Sequence, residues 1–510
     1  MADWGSGYVT DTAYVHDYCR AQTPPLLSFA ALCKGVAAPG SLGEALRYCD
    51  LGCGQGFTAN IIAAANPRTE VFAADFNPTH IANARGLAEA AGLKNIAFRE
   101  ADFAELSSDA ALPEFDIIAL HGVYSWVSAE NRAAIVALIR RRLKSGGLVY
   151  ISYDAMPGWA GIAPLRRLML QQHSVSPQPS SQKALEQALA LVDSLKDAGA
   201  QFYKLYPYVT AQLERLRKLP SAYLAHELLT RDWQAFAFAD VAAELAEAKL
   251  SYLGSAHLTD HVDRVNFTED QQRLLGGIAD PLTNESARDM IVGRQFRRDV
   301  FVKGFTRLAT LAERERWLQT RFVLSNPAKD VALTFETPLG TLQLRPETYR
   351  PVIDALADGP VTARDLVQRL AASKLEWGSL TDAIKVLVGR GDLQVALPPE
   401  HEDERKLSTQ AFNAVVMGRA KEQAPLGYLA SPVTAAGIQV DAFTQLYLKA
   451  KQKGVADPVG LIAEIAVKSG KSFEKGGKTL SPDEARTELA AKAAHIEERM
   501  VPLLTRLGIV

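Results

Sequence analysis

The stretch that decides the fold is residues 48–56, YCDLGCGQG. It predicts the end of a buried strand, then Asp50, then a glycine turn of the form GxGxG. A dinucleotide-binding turn has the form GxGxxG, with its third glycine one residue later beside the pyrophosphate. The early third glycine and the preceding carboxylate therefore favour a ligand with an ammonium group and no pyrophosphate. The pattern predicts S-adenosylmethionine, whose amino-acid end could approach the backbone of Gly52, Gly54 and Gly56 closely.

Two further predicted strands end in an acidic residue. The first, TEVFAAD, ends in Asp75 and is followed by Phe76, about 20 residues past the glycines, a spacing typical of a carboxylate that binds both ribose hydroxyls. The second, IAFREAD, ends in Asp102 and is followed by Phe103. An acid next to an aromatic ring can accept a hydrogen bond from the adenine amino group and stack on its ring. These four residues are predicted to bind the cofactor.

Two more apolar runs, FDIIALH at 115–121 and GLVYISY at 147–153, complete a series of five predicted strands. A helical stretch follows each of them, and strict alternation of apolar strands with helices predicts an α/β fold with a doubly wound, Rossmann-like parallel sheet. All the motif residues then lie at the carboxyl ends of strands, where such sheets bind ligands. We expect the sheet to resume with strands at 250–256 and 296–304.

The loops after the fourth and fifth strands carry the candidate catalytic residues. These are His121, Tyr124, Trp126, Tyr153 and Asp154, with Trp159 at the end of the second loop. Aromatic faces attract cationic groups and offer no competing nucleophile, so we expect these loops to border the transferred methyl group. His121 is a candidate both for contact with the cofactor and for a base, and Asp154 could also accept a proton from an amine. The alternative is that the aromatic residues only cover the sheet.

The chain divides into four predicted parts. The division is 1–45, an N-terminal lid; 46–310, a catalytic domain with a helical insertion at 160–235; 311–400, a winged-helix-like domain; and 401–510, a helical region. The lid carries Tyr8, Tyr14 and Tyr18 ahead of Thr23-Pro24-Pro25, which opens a helix. The charge run at 402–406 is predicted to be a solvated linker.

The prediction of a winged-helix-like part rests on a hairpin pattern at 331–344, three short helical stretches and a strand at 393–397. The third helical stretch, SLTDAIKVLVG, offers Lys385 as its single exposed basic side chain, whereas a groove-reading helix needs basic and amide side chains. We therefore expect this part to dock a protein and not nucleic acid.

Composition narrows the class of protein further. The chain has 510 residues and a net charge of −2, so no global field attracts nucleic acid or acidic membrane. We find no apolar run long enough to span a bilayer, and the N-terminus lacks the features of a signal peptide. The four cysteines lack the spacing of a metal site. They predict buried thiols, no metal and a cytoplasmic location.

Several runs together resemble bacterial class I methyltransferases that carry a methyltransferase regulatory domain, a layout shared by the rickettsial-type protein-lysine methyltransferases. The matching runs are DLGCGQG (50–56), AANPRTEVFAADFNP (64–78), HGVYSWV (121–127), SGGLVYISYDAMPGW (145–159), YLAHELL (223–229) and FRRDVFVKG (296–304). The resemblance implies a cofactor site on Gly52, Gly54, Asp75 and Asp102, and a protein lysine as substrate. One departure is Asp154, where that family often has asparagine.

Three functions remain open at this point. The first is methylation of protein lysines, with the C-terminal domains gripping the protein. The second is methylation of a small molecule, such as a glycan precursor or secondary metabolite, with the C-terminal half serving dimerisation. The third is a cofactor sensor without enzymatic activity, which the intact acidic residues and aromatic loops disfavour. The pattern leaves the oligomeric state undetermined.

Overall fold

The structure is a computed structural model that describes residues 16–40, 43–176, 178, 180–421, 426–468, 474–475 and 478–510. A seven-stranded sheet forms its centre. Its strands are β1 (Arg47–Leu51), β2 (Glu70–Asp75), β3 (Ile96–Glu100), β4 (Phe115–Leu120), β5 (Leu143–Asp154), β6 (Leu250–Ser255) and β7 (Phe296–Lys303). Within the described residues, no helix is both long enough and apolar enough to cross a bilayer.

The strand order is β3-β2-β1-β4-β5-β7-β6. The first five strands run parallel, whereas β7 lies antiparallel between β5 and β6. The order reverses between β1 and β4, and such a switch point opens a crevice at the carboxyl ends of the strands. The predicted Rossmann-like sheet is confirmed, including both strands that follow the helical insertion.

Helices cover both faces of this sheet and fill the stretch between β5 and β6. They are α1 (Pro24–Leu32), α2 (Phe57–Ala65), α3 (Pro78–Ala90), α4 (Phe103–Ser108), α5 (Ala129–Arg142), α6 (Ala163–Val175), α7 (Ser181–Asp197), α8 (Gln201–Leu205), α9 (Tyr208–Leu216), α10 (Ser221–Leu229), α11 (Phe238–Ala246), α12 (Asp263–Asn266), α13 (Glu269–Gly276), α14 (Pro281–Val292) and α15 (Thr310–Gln319). Helices α6 to α10 share an apolar core of their own, so the insertion is a packed helical unit.

The next part of the chain contains the predicted hairpin and three helices. Its elements are β8 (Arg321–Leu324), β9 (Thr334–Thr337), β10 (Gly340–Gln343), α16 (Pro346–Ala355), β11 (Val361–Thr362), α17 (Ala363–Arg369), α18 (Trp377–Arg390) and β12 (Leu393–Ala396). Strand β8 lies between β11 and β12, and the β9–β10 hairpin forms a separate sheet. The winged-helix assignment of this part stays a prediction.

The C-terminal part is mostly helical, with two short hairpins. Its elements are α19 (Glu402–Arg419), β13 (Tyr428–Ser431), β14 (Ala436–Gln439), α20 (Ala442–Gln452), α21 (Pro458–Lys468), β15 (Glu474–Lys475), β16 (Lys478–Thr479), α22 (Pro482–His495) and α23 (Val501–Arg506). Phe412 of α19 stacks on Phe57 of α2 with ring centroids 6.4 Å apart, so this part packs directly on the central sheet's helices.

The charge run at 402–406 is not a linker, and that expectation was wrong. It forms the first turns of α19, where acidic residues interact favourably with the helix dipole. Arg405 within it is buried and donates hydrogen bonds to the backbone oxygens of Pro432, Glu400 and Pro398, each at 2.7 Å. Arg405 therefore ties α19 to the neighbouring backbone, whereas the other charged residues of the run stay exposed or partly exposed.

Candidate active site

Two adjoining cavities lie at the carboxyl edge of the sheet. The first has a volume of about 160 Å³ and reaches toward the N-terminal segment. The second has a volume of about 600 Å³ and reaches toward β3 and α5. Because their linings overlap, the two cavities form one continuous groove across the switch point. The shared lining residues are Gly52, Asp75, Phe76, Phe103, Trp126 and Val127.

The floor of the groove is the glycine turn between β1 and α2. Gly52 has φ +72°, and a Cβ at this position would lie 2.4 Å from Cγ2 of Val123. Gly56 has φ +68°, and a Cβ there would lie 2.4 Å from the Cβ of Ala84. Side chains other than hydrogen are therefore excluded at both positions, for reasons of conformation as well as space. Without side chains at these two positions, the turn packs closely against Val123 and Ala84 and leaves the groove open.

The carboxyl group of Asp75 is held rigidly at the end of β2. It accepts hydrogen bonds from the backbone N–H groups of Gly54 and Asn77, both at 2.9 Å, and its Oδ1 lies 3.1 Å from Nδ1 of His80. Asn77 in turn caps α3. A carboxylate has about four lone-pair positions, so one position, on Oδ2, is left to accept a bond from a hydroxyl group in the groove.

Asp50 provides a buried carboxyl group at the other end of the groove. Gln22 donates from Nε2 to its Oδ1 at 3.1 Å, and the side chain is almost completely buried. Burial raises the pKa of Asp50 to about 7, against the lowering effect of Gln22. A cationic group beside it would stabilise the ionised form. The site therefore fits the ammonium group of a bound S-adenosylmethionine.

Asp102 and Phe103 line the second cavity where β3 passes into α4. Oδ1 of Asp102 accepts from the backbone N–H of Glu105 at 2.8 Å, and the Glu105 side chain accepts from the backbone N–H of Asp102 at 3.1 Å. This capping box fixes the helix start. The remaining acceptor positions of Asp102 and the ring of Phe103 are left for a ligand in the groove.

His121 lines the first cavity and is anchored through one edge of its ring. Its Nδ1 lies 2.9 Å from Oγ of Ser152 and 3.0 Å from the hydroxyl of Tyr150. Burial lowers the pKa of His121 to about 4, and the nearby guanidinium of Arg298 contributes to this lowering. The imidazole is therefore neutral at physiological pH. A base works best when its pKa lies near the working pH, so His121 is better suited to hydrogen bonding than to accepting a proton.

Tyr124 and Tyr153 do not line either cavity, which corrects the expectation that they border the methyl group. Tyr124 is buried and donates its hydroxyl proton to Glu244. Tyr153 is buried and donates to Oδ2 of Asp299 at 2.6 Å. The reason is the length of β5: it continues to Asp154, so Tyr153 pairs with Arg297 of β7 inside the sheet. Trp126, by contrast, lines both cavities.

Asp154 and Trp159 belong to the junction with the helical insertion and not to the groove. Oδ2 of Asp154 accepts from Nε1 of Trp233 at 2.6 Å. Trp159 packs edge-on against Trp233 with ring centroids 5.0 Å apart, and its own Nε1 donates to the backbone oxygen of Gln295 at 3.0 Å. The expectation that Asp154 attracts an amine in the groove is corrected by this placement.

The N-terminal segment contributes lining residues that the sequence did not reveal. Asp17, Cys19 and Gln22 all line the first cavity. A short 3₁₀ helix at Arg20–Gln22 turns the segment into α1, and the hydroxyl of Tyr18 accepts from the backbone N–H of Gly437 at 2.7 Å. The Pro24-Pro25 pair signals the helix, but no local pattern signals the pairing of Gln22 with Asp50. Tyr8 and Tyr14 of the predicted lid lie outside the described residues.

Two family models match this chain. The first, described as a methyltransferase domain, covers residues 42–194, and the second, a "predicted methyltransferase regulatory domain", covers residues 220–303. The first contains the glycine turn, Asp75, Asp102 and His121. Together with the sheet order and the groove, this match defines the chain as a class I S-adenosylmethionine-dependent methyltransferase.

Relatives and solved structures agree with this class. The chain is 37% identical over 507 residues to the uncharacterized protein sll1526 of Synechocystis sp., covering 99% of both chains. It is 29% identical over 289 residues to the uncharacterized protein RP789 of Rickettsia prowazekii, covering 56% of this chain and 51% of that one. The chain belongs to the family of class I methyltransferases that carry a methyltransferase regulatory domain.

The fold is shared with a solved structure from Rickettsia typhi. PKMT2, in complex with AdoHcy, superposes with a TM-score of 0.68 at 18% sequence identity, covering 95% of this chain and 98% of that chain. At this identity the likeness concerns the fold. It extends over the C-terminal parts as well as the central sheet, so the whole architecture recurs in both proteins.

Proposed function

We propose that this enzyme transfers methyl groups from S-adenosylmethionine to lysine amines of a protein. The observation that carries the proposal is the charge of the groove. Seven carboxylates line the two cavities, and the described lining residues include no lysine or arginine. They are Asp17, Asp50, Asp75, Glu100, Asp102, Glu105 and Asp232. Such a lining attracts cations and disfavours anionic acceptors. A lysine side chain is a cation at physiological pH.

Within this proposal the cofactor extends along the whole groove. Asp75 would accept a hydrogen bond from the ribose through the free position on Oδ2, and Asp102 and Phe103 would hold the adenine. Asp50 would bind the ammonium group above the turn formed by Gly52, Gly54 and Gly56. The support is the placement of these groups along one groove in the order in which the cofactor presents its parts. The bound cofactor supplies an electrophilic methyl group on a sulfonium.

The acceptor amine would enter beside Asp17, His121 and Trp126, which line the end of the groove near the N-terminal segment. Asp17 is exposed and can attract a lysine ammonium from solution. A free lysine has a pKa of about 10.4, so the amine must lose its proton before transfer. Desolvation beside the aromatic ring of Trp126 lowers that pKa. Holding the neutral amine in line with the methyl group then contributes to the rate through orientation.

We also propose that residues 311–510 position the N-terminal segment at the groove. Nη2 of Arg20 donates to the backbone oxygen of Gly389 in α18 at 3.2 Å, and Tyr18 contacts Gly437 as described above. These contacts join the N-terminal segment to both C-terminal parts, and the division into lid, catalytic domain and two C-terminal parts stays a prediction. In this arrangement a protein bound to the C-terminal parts would lie beside the entrance of the groove.

The decisive experiment is methyl transfer from radiolabelled S-adenosylmethionine to a lysate of the host, separated into protein and small-molecule fractions. We expect label in protein, and mass spectrometry should place the added mass on lysine. The Asp17→Asn variant should raise the Michaelis constant for the protein substrate and leave cofactor affinity unchanged, because it removes one attracting charge at the entrance.

A matched control is Asp193→Asn, which removes an exposed carboxylate of the helical insertion that pairs with Arg217. This variant should behave as the wild type. Label confined to the small-molecule fraction would contradict the lysine proposal and favour a small acceptor. Equal effects of the Asp17 and Asp193 variants would contradict the role of charge at the entrance.

A further inference from the structure

A third cavity lies beside the edge strand β6, within the segment matched by the regulatory-domain model. Its volume is about 530 Å³, which falls in the range of sites for small metabolites. Helices α12 and α14 contribute to its wall together with β6 and β7. It shares no lining residue with the candidate active site. The lining is dominated by charged side chains.

Three of the arginines in this lining are already neutralised. Arg288 forms a bidentate ion pair with Asp263, with N–O distances of 2.7 and 2.9 Å. Arg297 is buried and donates to Asp299 at 2.8 Å and to Glu285 at 3.1 Å. A separate pair, Arg294 with Asp260 at 3.4 Å, completes the set. All four carboxylates of the lining are therefore engaged by these arginines.

Two cations of the lining take no part in these ion pairs. Lys34, just beyond α1, and Arg298, on β7, have no carboxylate within ion-pair distance among the residues that the structure describes. Arg298 instead lies over the ring of Phe296, with Cζ 5.0 Å from the ring centroid. The stem of Lys34 crosses β6 at Gly254, where an added Cβ would lie 2.7 Å from Cε of the lysine. The cavity thus presents two cationic side chains that form no ion pair within the described residues.

We propose that this cavity is a second ligand site, which binds a metabolite-sized anion carrying carboxylate or phosphate groups, and that its occupancy changes cofactor affinity through Arg298. Charge-assisted hydrogen bonds from a lysine and an arginine are a strong mode of carboxylate and phosphate recognition. The site goes beyond the proposed methyl transfer and does not depend on the identity of the methyl acceptor.

The connection to the active site follows from the register of the sheet. Arg298 pairs with Ser152 of β5, and Oγ of Ser152 lies 2.9 Å from Nδ1 of His121, which lines the cofactor groove. The positive charge of Arg298 also contributes to the lowered pKa of His121. An anion beside Arg298 would offset a charge that repels a cationic cofactor, so its binding should favour binding of S-adenosylmethionine.

Calorimetry tests the site itself, with citrate and inorganic phosphate as probes at constant ionic strength. We expect saturable binding of at least one probe, with neutral glycerol as a non-binding reference. The Lys34→Gln and Arg298→Gln variants should each weaken binding by about tenfold or more, because one charge-assisted contact is lost. The control Lys94→Gln removes an exposed lysine that lines none of the three cavities and should bind as the wild type does.

Cofactor titrations with and without the bound probe test the coupling. Affinity for S-adenosylmethionine should rise several-fold when the probe is present, and affinity for the probe should rise by the same factor when the cofactor is present. The Arg298→Gln variant should lose this effect. The proposal is overturned if neither probe binds at millimolar concentration, if all three variants bind alike, or if the probe binds without changing cofactor affinity.

Discussion

Two regions of the central sheet carry residues that are equally suited to methyl transfer by residue type. One region is the carboxyl ends of β1 and β2, and the other is the carboxyl end of β5. At β1 and β2, Asp50 and Asp75 lie in the groove, where the side chain of Gln22 donates to Asp50 and the backbone N–H of Gly54 donates to Asp75. At β5, Tyr153 and Asp154 are buried and point their polar atoms at Asp299 and Trp233. The difference is that β1 and β2 end within one residue of Asp50 and Asp75 and pair only with parallel strands, whereas β5 pairs with the antiparallel strand β7 as far as Asp154. The end of β5 is therefore paired inside the sheet, whereas the ends of β1 and β2 open into the groove.

The largest expected effect is a loss of stability at the buried end of β5. Replacing Asp299 by alanine removes the carboxylate shared by Tyr153 and Arg297, all of them buried. Breaking a buried ion pair by removing one partner costs about 3–5 kcal/mol, so the free energy of unfolding in urea should fall by that amount. The control Asp116→Ala removes a partly exposed pair with Lys144 and should cost about 1 kcal/mol or less. Equal losses in both variants would show that the β5 end does not depend on this network.

The second effect concerns the cofactor side. The Asp75→Ala variant should weaken S-adenosylmethionine binding by about tenfold or more, because each lost bond to a charged group contributes about 1.5–3 kcal/mol. Asp75 also holds the turn, so the control is Asn77→Ala, which removes the cap of α3 and lines neither cavity. Calorimetry should show cofactor binding retained in the control. Similar losses in both variants would mean that turn rigidity, and not contact with the ribose, determines affinity.

The third effect separates two neighbours in one short helix, Tyr124–Trp126. Because Trp126 lines both cavities, Trp126→Ala should lower cofactor affinity and turnover several-fold. Tyr124→Phe should leave both unchanged and lower the free energy of unfolding by about 1 kcal/mol, since it removes a bond to the partly exposed Glu244. Steady-state kinetics together with urea unfolding would distinguish them. A loss of turnover in Tyr124→Phe at unchanged stability would restore Tyr124 to the active site.

The smallest effect is a pH dependence of stability at the junction with the insertion. Burial raises the pKa of Asp154, and the same holds for Glu227 beside it. A carboxyl group whose pKa is raised in the folded state stabilises the fold below its unfolded pKa of about 3.9. That contribution is lost as the pH rises through the folded pKa. Stability should therefore decline from acidic toward neutral pH.

The Asp154→Asn variant keeps an oxygen that can accept from Trp233 and removes one titrating group. It should flatten this decline, and thermal unfolding at a series of pH values would measure it. The Michaelis constant should stay unchanged, because Asp154 lies outside the groove. A rise in that constant at unchanged stability would return Asp154 to substrate binding.

The sequence by itself determined where the strands of the central sheet lie along the chain. It also determined which residues form the cofactor side of the site. The glycine turn, Asp75 and Asp102 each sit at the end of an apolar run, so neighbouring residues alone fix their position at the ligand edge. The same local signals placed the strands β6 and β7 and the helical insertion between β5 and β6.

Only the tertiary structure decided the rest. Antiparallel pairing with β7 extends β5 to Asp154 and places the Tyr153 side chain in the core. The residues of β5 themselves do not specify that β7 is the neighbouring strand. Gln22 meets Asp50, and Lys34 meets Gly254, through contacts between segments far apart in the chain. The two unpaired cations of the third cavity, Lys34 and Arg298, likewise come from segments far apart in the chain. Such features depend on long-range pairing and packing, which a single sequence does not display.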